Sequence, residues 1–285
     1  MDDKDYFTLA TEHLTIEGRS RAGHETWFRP RELNIGLDIG RCPDELIRVP
    51  HIFVSHAHLD HALGIPYYAG QRRLQRLAPG TIHVPAETLP DFRELIRVHE
   101  KLEDVQYDTI LSGLDRGDVV RLRRDLEVRT HRATHRVAAN AYEVMEIRHK
   151  LRGEYEGLAG HQLAALRHKG IDPADEVRHP ILFYTGDTDR GILEQNDALF
   201  EADVLMIECS FVVDGHQERA QQYRHIHFDD IADFAPRFRN RIILLTHFSR
   251  RYAPGEIRDE LRRRCPPELR DRIRLAFPPP WQTLD

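Results

Sequence analysis

The chain has 285 residues, a formal net charge of -6 and three cysteines. This length is enough to bury a large core, and the charge excludes a protein that coats nucleic acid through overall positive charge. The apolar runs are short and residues 1–5 are acidic, so we expect neither a membrane span nor an ordinary secretory signal. The cysteines are scattered, which argues against a disulfide framework and favours a cytoplasmic protein.

Arginine supplies 37 of the 41 basic residues and is concentrated in two stretches. Residues 237–274 hold twelve arginines against five acids, and residues 115–136 hold seven against four. Such stretches could bind phosphates, but we interpret both as solvated faces, because runs of charge usually are.

Short strands are predicted first along the chain, broken by glycines and charged residues. They cover Tyr6 to Ala10, Leu14 to Glu17, Thr26 to Phe28 and Leu33 to Asp38. Residues 60–76 lead into a helix, Thr81 to Val84 has the composition of a buried strand, and Pro85 to Leu102 has helical spacing of its apolar residues. Four further strands are expected near 105–111, 118–122, 126–133 and 140–147.

The second half of the chain alternates strands and helices. Strands are predicted at Ile181 to Tyr184, Val204 to Glu208, Ile242 to Thr246 and Ile273 to Phe277, and helices near 191–200, 228–238 and 254–264. The natural assembly is one α/β (α+β) domain spanning 1–285, with two mixed sheets between helices. The segment 147–179 interrupts the pattern with mixed charge and no strand signal, and is interpreted as an insertion that could serve as a substrate arm or be a plain surface excursion.

The densest chemical signal is the run from Phe53 to His61, in which His56, His58, Asp60 and His61 directly follow a predicted strand. Alternate residues of an extended chain face the same side, so His56 and His58 can hold one ion. The turn that follows carries Asp60 and His61 toward a second ion. This spacing predicts a two-metal site.

A dinuclear site needs more ligands than one loop supplies, and the candidates lie where other strands end. They are His135 after the strand ending near Ala133, Asp187 after Tyr184-Thr185-Gly186, and His247 after Thr246. His131 is a rival for the position of His135. Glu208 and His225 form a second tier, with His227 beside them, because a histidine near metal ions can protonate a leaving oxygen and a carboxylate can hold its tautomer.

With these residues in view, the chain resembles the tRNase Z branch of the metallo-β-lactamase-fold hydrolases. The resemblance covers nearly the whole chain and is carried by Gly23-His24-Glu25-Thr26, Leu37 to Pro43, Ser55 to His61, Gly186-Asp187-Thr188, Glu208 to Phe211, His225 to Phe228 and Thr246 to Tyr252. Several of these motifs look most like the short plant form.

The resemblance implies a metallo-β-lactamase αββα sandwich that removes the 3′ trailer of precursor tRNA and leaves a tRNA 3′-hydroxyl. It implies two Zn²⁺, with Mn²⁺ or Fe²⁺ possible. His56, His58 and His135 would bind one ion, Asp60, His61 and His247 the other, and Asp187 would bridge them. Asp60 would orient the attacking water, and His225 with Glu208 would donate the proton. The family also implies a homodimer.

Two alternatives stay open at this point. The same branch of the superfamily hosts hydrolases of small phosphodiesters, cyclic nucleotides or sulfate esters, which would use the same metal ligands. A non-enzymatic RNA-binding scaffold would keep the fold without the chemistry. Precursor tRNA or another RNA 3′ end is the preferred partner, and no membrane partner is expected.

Overall fold

The computed structural model describes residues 6–284. The acidic N-terminus used above therefore lies outside the described residues. Within residues 6–284, no helix is both long and apolar enough to span a bilayer.

Seven strands of the first half of the chain form one mixed sheet, in sequence order from edge to edge. They are β1 (Phe7–Ala10), β2 (Thr15–Arg21), β3 (Glu25–Pro30), β4 (Ile35–Ile39), β5 (His51–Phe53), β6 (Thr81–Pro85) and β7 (Ile110–Leu114). β1 to β4 pair antiparallel, whereas β4 to β7 pair parallel. Each pair of neighbouring parallel strands needs a crossover connection, which the chain between the two strands forms.

The second half builds a matching seven-stranded sheet in the order β14-β13-β12-β11-β10-β9-β8. Its strands are β8 (Val119–Arg123), β9 (Leu126–Arg132), β10 (Asn140–Leu151), β11 (Ala174–Tyr184), β12 (Val204–Glu208), β13 (Ile242–Thr246) and β14 (Ile273–Leu275). β8 to β11 are antiparallel, and β11 to β14 are parallel.

Ten α-helices lie in the described part of the chain. They are α1 (Asp44–Ile47), α2 (Leu59–Ala62), α3 (Ile65–Leu74), α4 (Leu89–Glu103), α5 (Gly160–His168), α6 (Gly191–Gln195), α7 (Gln217–Tyr223), α8 (Phe228–Asp233), α9 (Pro254–Arg264) and α10 (Pro267–Arg270). Most of them cover the outer faces of the two sheets, where they contribute to two separate clusters of buried apolar side chains.

A third apolar cluster fills the space between the sheets. Phe28 and Phe53 of the first sheet meet Leu182, Tyr184 and Met206 of the second, all of them buried. Side chains from the inner faces of two sheets that pack in this way form the core of a sandwich. The predicted two-sheet architecture with outer helices is confirmed.

The direction of the strands determines at which edge of the sandwich the loops that carry the candidate site residues lie. The parallel strands β5, β11, β12 and β13 end at the same edge, and β9 ends there too, because two antiparallel pairings separate it from β11. Ligand sites of open α/β sheets lie beyond the carboxyl ends of their strands. The loops after these strands therefore meet in one place.

The segment 147–179 differs from its prediction. The expectation of no strand signal was wrong, since β10 continues to Leu151 and β11 begins at Ala174, and the two pair antiparallel along this length. Charged pairs such as Lys150 opposite Asp175 hide the alternation that normally indicates a strand. Helix α5 at the tip has no buried residue, so the segment is an exposed hairpin, and its role as a substrate arm stays a prediction.

Smaller differences concern the ends of elements. The helix expected from Pro85 begins at Leu89 after a 3-10 turn, and those expected to reach residues 200 and 238 end at Gln195 and Asp233 before similar turns. The strand expected near 105–111 is β7, which runs from Ile110 to Leu114.

Candidate metal centre

The loop after β5 holds four of the predicted metal ligands. The backbone stays extended to His58, whose φ and ψ are -64° and 147°, and the single turn of α2 then reverses the chain and carries Asp60 and His61. His56 and His61 are completely buried. Extended backbone followed by a tight turn therefore places the two pairs of side chains around a common centre, as the spacing predicts.

The first group of potential ligands is His56, His58, His135 and Asp187, whose ligand atoms all lie within 4.8 Å of one another. His56 Nε2 lies 2.9 Å from His58 Nδ1, and His135 Nε2 lies 3.4 Å from the same atom. His135 comes from the loop after β9 and Asp187 from the loop after β11. Three strand ends thus converge on one point.

The second group is Asp60, His61 and His247, again with all ligand atoms within 4.8 Å. The Nε2 atoms of His61 and His247 are 3.3 Å apart, and Asp60 Oδ2 lies 3.4 Å from His247 Nε2. Asp187 connects the two groups, because its carboxylate oxygens lie 3.4 Å from His61 Nε2, 3.3 Å from His247 Nε2 and 3.7 Å from His56 Nε2.

Hydrogen bonds on the far side of the rings fix which nitrogen carries the proton. His135 Nδ1 donates to the backbone carbonyl of Arg224 at 3.0 Å, and His61 Nδ1 donates to Asp38 Oδ2 at 2.7 Å. His247 Nδ1 donates to the hydroxyl of Ser210 at 3.0 Å, which itself donates to a carboxylate. The Nε2 lone pairs of these rings therefore point into the centre, the arrangement found around protein-bound metals.

This donor set fits a divalent cation. Oδ1 of Asp187 is buried and has no hydrogen-bond partner, and imidazole lone pairs that face one another at 3.3 Å repel unless a positive charge lies between them. Imidazole and carboxylate ligands suit zinc and related transition metals. The residues present can therefore hold one or more divalent metal ions.

The pKa shifts differ among the candidate ligands. Burial lowers the pKa of His61, but the carboxylates of Asp187 and Asp38 outweigh it and raise that pKa well above its ordinary value. Burial, reinforced by the neighbouring imidazole of His61, holds the pKa of His56 well below its ordinary value. Burial opposes ionisation of Asp187, but His247 and His61 outweigh it and hold the pKa of that carboxyl well below its usual range. His56 and Asp187 are thus in the protonation state that binds a metal ion.

Glu208 and His225 lie beside the metal ligands as a hydrogen-bonded pair. His225 Nδ1 donates to Glu208 Oε1 at 2.7 Å, and the His225 ring centroid lies 5.2 Å from that of His135. The Glu208 carboxylate also accepts hydrogen bonds from the backbone of Thr188 and from the hydroxyl of Ser210. Although burial lowers the pKa of His225, the Glu208 carboxylate raises it to about 9.

The two other histidines considered from the sequence have different surroundings. His131 Nε2 is 2.9 Å from Glu143 Oε2, and its ring packs on Phe183. His227 donates from Nε2 to the carbonyl of Val213 and accepts from the backbone of Asp229 at the start of α8. Neither belongs to a potential metal group among the described residues.

Asp38 is a site residue that the sequence analysis did not single out. It is the penultimate residue of β4 and has a φ of 54°, a left-handed conformation that aspartate adopts more readily than most residues. Its two oxygens accept from the His61 ring and from the backbone and hydroxyl of Ser55 at 2.6 to 2.9 Å, and from the hydroxyl of Tyr184. The sequence offered one signal for this role, since Asp38 ends the strand predicted from Leu33 and lies two residues before Gly40.

We predict that Asp38→Asn weakens metal binding by about 10- to 100-fold, the range typical for partners behind a metal ligand. Four donors converge on this carboxylate, and an amide would replace one acceptor with another donor. Titration of metal-free protein against a chromophoric chelator measures the affinity. Glu127→Gln is the matched control, because Glu127 is equally buried but pairs with Arg121 and Arg178 away from the site. Equal affinity of both variants would contradict the role of Asp38.

Comparison with known proteins identifies the family. No protein-family model matches the chain. The chain is 38% identical over 254 residues to tRNase Z TRZ1 of Arabidopsis thaliana, covering 88% of this chain and 91% of that protein. It is 35% identical to the chloroplastic tRNase Z TRZ2 of the same plant, covering 87% and 71% of the two chains.

Solved structures show the same fold at low sequence identity. The short form of human tRNase Z superposes with a TM-score of 0.55 at 18% identity, covering 95% of this chain and 93% of that one. The metallo-β-lactamase fold protein YhfI of Bacillus subtilis gives 0.59 at 14% identity, covering 90% and 93%. The predicted fold class and the resemblance to the plant short form are both confirmed, and the chain belongs to the tRNase Z family of metallo-β-lactamase-fold hydrolases.

Proposed function

We propose that this protein is an endoribonuclease that removes the 3′ trailer of precursor tRNA and leaves a 3′-hydroxyl on the tRNA. The observation that carries the proposal is the pair of ligand groups joined by Asp187, with the His225–Glu208 pair beside them. A phosphodiester needs an activated water on one side and a proton for the leaving oxygen on the other. The relatives named tRNase Z make precursor tRNA the substrate of choice.

We propose two Zn²⁺ ions as the cofactors. His56, His58 and His135 would hold one ion, Asp60, His61 and His247 the other, and Asp187 would contact both. Five imidazoles favour zinc over magnesium or calcium, whereas Mn²⁺ and Fe²⁺ remain compatible with the same donors. Divalent ions bound there would lower the pKa of a water molecule and neutralise charge on the phosphoryl oxygens.

We infer that Asp60 orients the attacking water. Its Oδ2 accepts a hydrogen bond of 2.7 Å from the backbone of Gly23, which fixes the carboxylate at the rim of the site. Burial raises its pKa, but the hydrogen bond and charge of the neighbouring histidines prevail and lower it to about 2. The group is therefore ionised at neutral pH and can accept a hydrogen bond from water.

We infer that His225 protonates the departing 3′ oxygen. The Glu208 carboxylate accepts from Nδ1, so Nε2 carries the transferable proton on the side away from Glu208. A pKa near 9 keeps the imidazole protonated at neutral pH. Glu208 acts through His225, as a positioning residue that holds its tautomer and its charge.

We also propose that the protein is a cytoplasmic homodimer. Four apolar side chains of α2, α3 and the short link between them are at least half exposed, namely Leu59, Leu63, Tyr67 and Leu74. An apolar face of this kind beside a site supports subunit contact. The three cysteines are buried and unpaired, which supports a reducing compartment. A monomer in sedimentation at micromolar concentration, or recovery outside the cytoplasm on cell fractionation, would contradict these two assignments.

The direct test is incubation of zinc- or manganese-loaded protein with precursor tRNA that bears a 3′ trailer. We expect one cut that yields tRNA with a 3′-hydroxyl and a trailer with a 5′-phosphate, and no cut after treatment with a chelator. Hydrolysis of small phosphodiesters without any cleavage of precursor tRNA would contradict the proposal and favour the small-ester alternative. RNA binding without any hydrolysis would favour the scaffold.

We predict that His225→Ala lowers the cleavage rate by about 10²- to 10⁴-fold, the usual contribution of a general acid, while the metal content stays at the wild-type value. This outcome separates a proton donor from a metal ligand, since His225 also lies within 4.8 Å of Asp187 and His247. Single-turnover cleavage and metal analysis of the same preparation give both quantities. Loss of one ion with His225→Ala would show that the residue is a ligand.

A further inference from the structure

A groove of about 450 Å³ opens beside the metal centre on the side of His135. Its walls are the turn after β6, the loop between β7 and β8, the loop between β9 and β10, and the residue before His225. Four exposed arginines line it, namely Arg116, Arg132, Arg136 and Arg224. Three of them come from the stretch 115–136 that the sequence analysis interpreted as a solvated face.

These four guanidinium groups make no ion pair with a carboxylate of residues 6–284. A second cavity of similar volume lies at the opposite end of the sandwich, and its arginines are paired. Each arginine of that cavity pairs with an acid: Arg123 with Asp125, Arg148 with Glu146, and Arg241 with Glu12. The arginines of the groove are therefore available to an external anion.

The groove is locally basic in an acidic chain. Only two of its lining residues are acidic, Glu87 and Asp115, so four positive charges face two negative ones, whereas the net charge of the chain is -6. Guanidinium groups bind phosphate oxygens through paired donors. Several of them along one groove suit a chain of phosphates better than a single anion.

Arg224 connects the groove to the proton donor. Its backbone carbonyl accepts from His135 Nδ1 at 3.0 Å, its φ is 54°, and its neighbour His225 faces His135 with ring centroids 5.2 Å apart. The leaving 3′ oxygen that His225 would protonate stays with the tRNA. The nucleotides on the tRNA side of the cut must therefore begin next to His225, where the groove opens.

We propose that this groove binds the backbone phosphates of the unpaired nucleotides at the 3′ end of the tRNA, immediately 5′ of the cut. The proposal rests on the proposed function for its orientation, because the cleavage chemistry decides which side of the cut lies at His225. The trailer leaves the site on the other side, past Asp60.

The test uses the full-length, metal-loaded protein with Arg116→Gln, Arg132→Gln and Arg224→Gln combined. The control combines Arg48→Gln, Arg76→Gln and Arg124→Gln, which remove the same charge from exposed arginines in the segments before β5, β6 and β9. Those segments lie at the opposite edge of the sheets from the metal centre. Metal content and thermal unfolding verify that both variants are folded.

Affinity is measured for mature tRNA that ends in a 3′-hydroxyl, for the same tRNA without its unpaired 3′ nucleotides, and for precursors with trailers of one and of several nucleotides. We expect the groove variant to bind mature tRNA and both precursors at least tenfold more weakly than the control. We also expect its slope of log affinity against log salt to be shallower by about two, since each single-strand phosphate contact contributes about 0.7. The shortened tRNA should bind both variants equally.

Equal affinity of the two variants for mature tRNA would overturn the proposal. A defect that appears only with the longer trailer would overturn it as well and would place the trailer in the groove. Binding of mature tRNA requires no cleavage, so the groove can be verified even if wild-type protein fails to cut the precursor. Failure of the wild-type protein to cut the precursor would contradict the proposed function and leave the groove proposal to the affinity measurements.

Discussion

Imidazole lone pairs and the Asp187 carboxylate converge on one buried centre, and the loops around that centre must satisfy this electrostatic constraint. In water these groups would separate, because ligand atoms of this kind gain nothing from facing one another at 3 to 4 Å. The fold prevents that separation by holding each of them at a strand end. A divalent cation between them relieves the repulsion, and the two groups of ligand atoms suggest such a cation at this position.

The scaffold maintains this arrangement with strained backbone and with hydrogen bonds behind the ligands. Asp38 lies one residue before the end of β4, Gly186 two residues after β11 and His247 directly after β13, and all three have φ between 54° and 59°. For residues other than glycine this conformation costs roughly 1–2 kcal/mol each. At Gly186 a Cβ would lie 2.5 Å from the Cβ of Ser55, so the chain passes there only because glycine has no side chain.

Much of this site could be predicted from the sequence, because three histidines and an aspartate within six residues directly after a strand are typical of a metal site and because strand ends are recognisable. His135, Asp187 and His247 each follow a predicted strand, and that pattern brings them to the edge where His56 to His61 lie. Asp38 and Ser210 could not be assigned roles, because their importance comes from hydrogen bonds between residues distant in sequence. The strands of the exposed hairpin were missed because neither of their faces is apolar.

We propose that the two ligand groups bind two metal ions that share Asp187. Anomalous diffraction from crystals of zinc-loaded protein, recorded on both sides of the zinc absorption edge, tests it most directly. Two peaks are expected, one among His56, His58 and His135 and one among Asp60, His61 and His247, both in contact with Asp187. A single peak, or a peak whose ligands include His225 in place of one of these residues, would contradict the account.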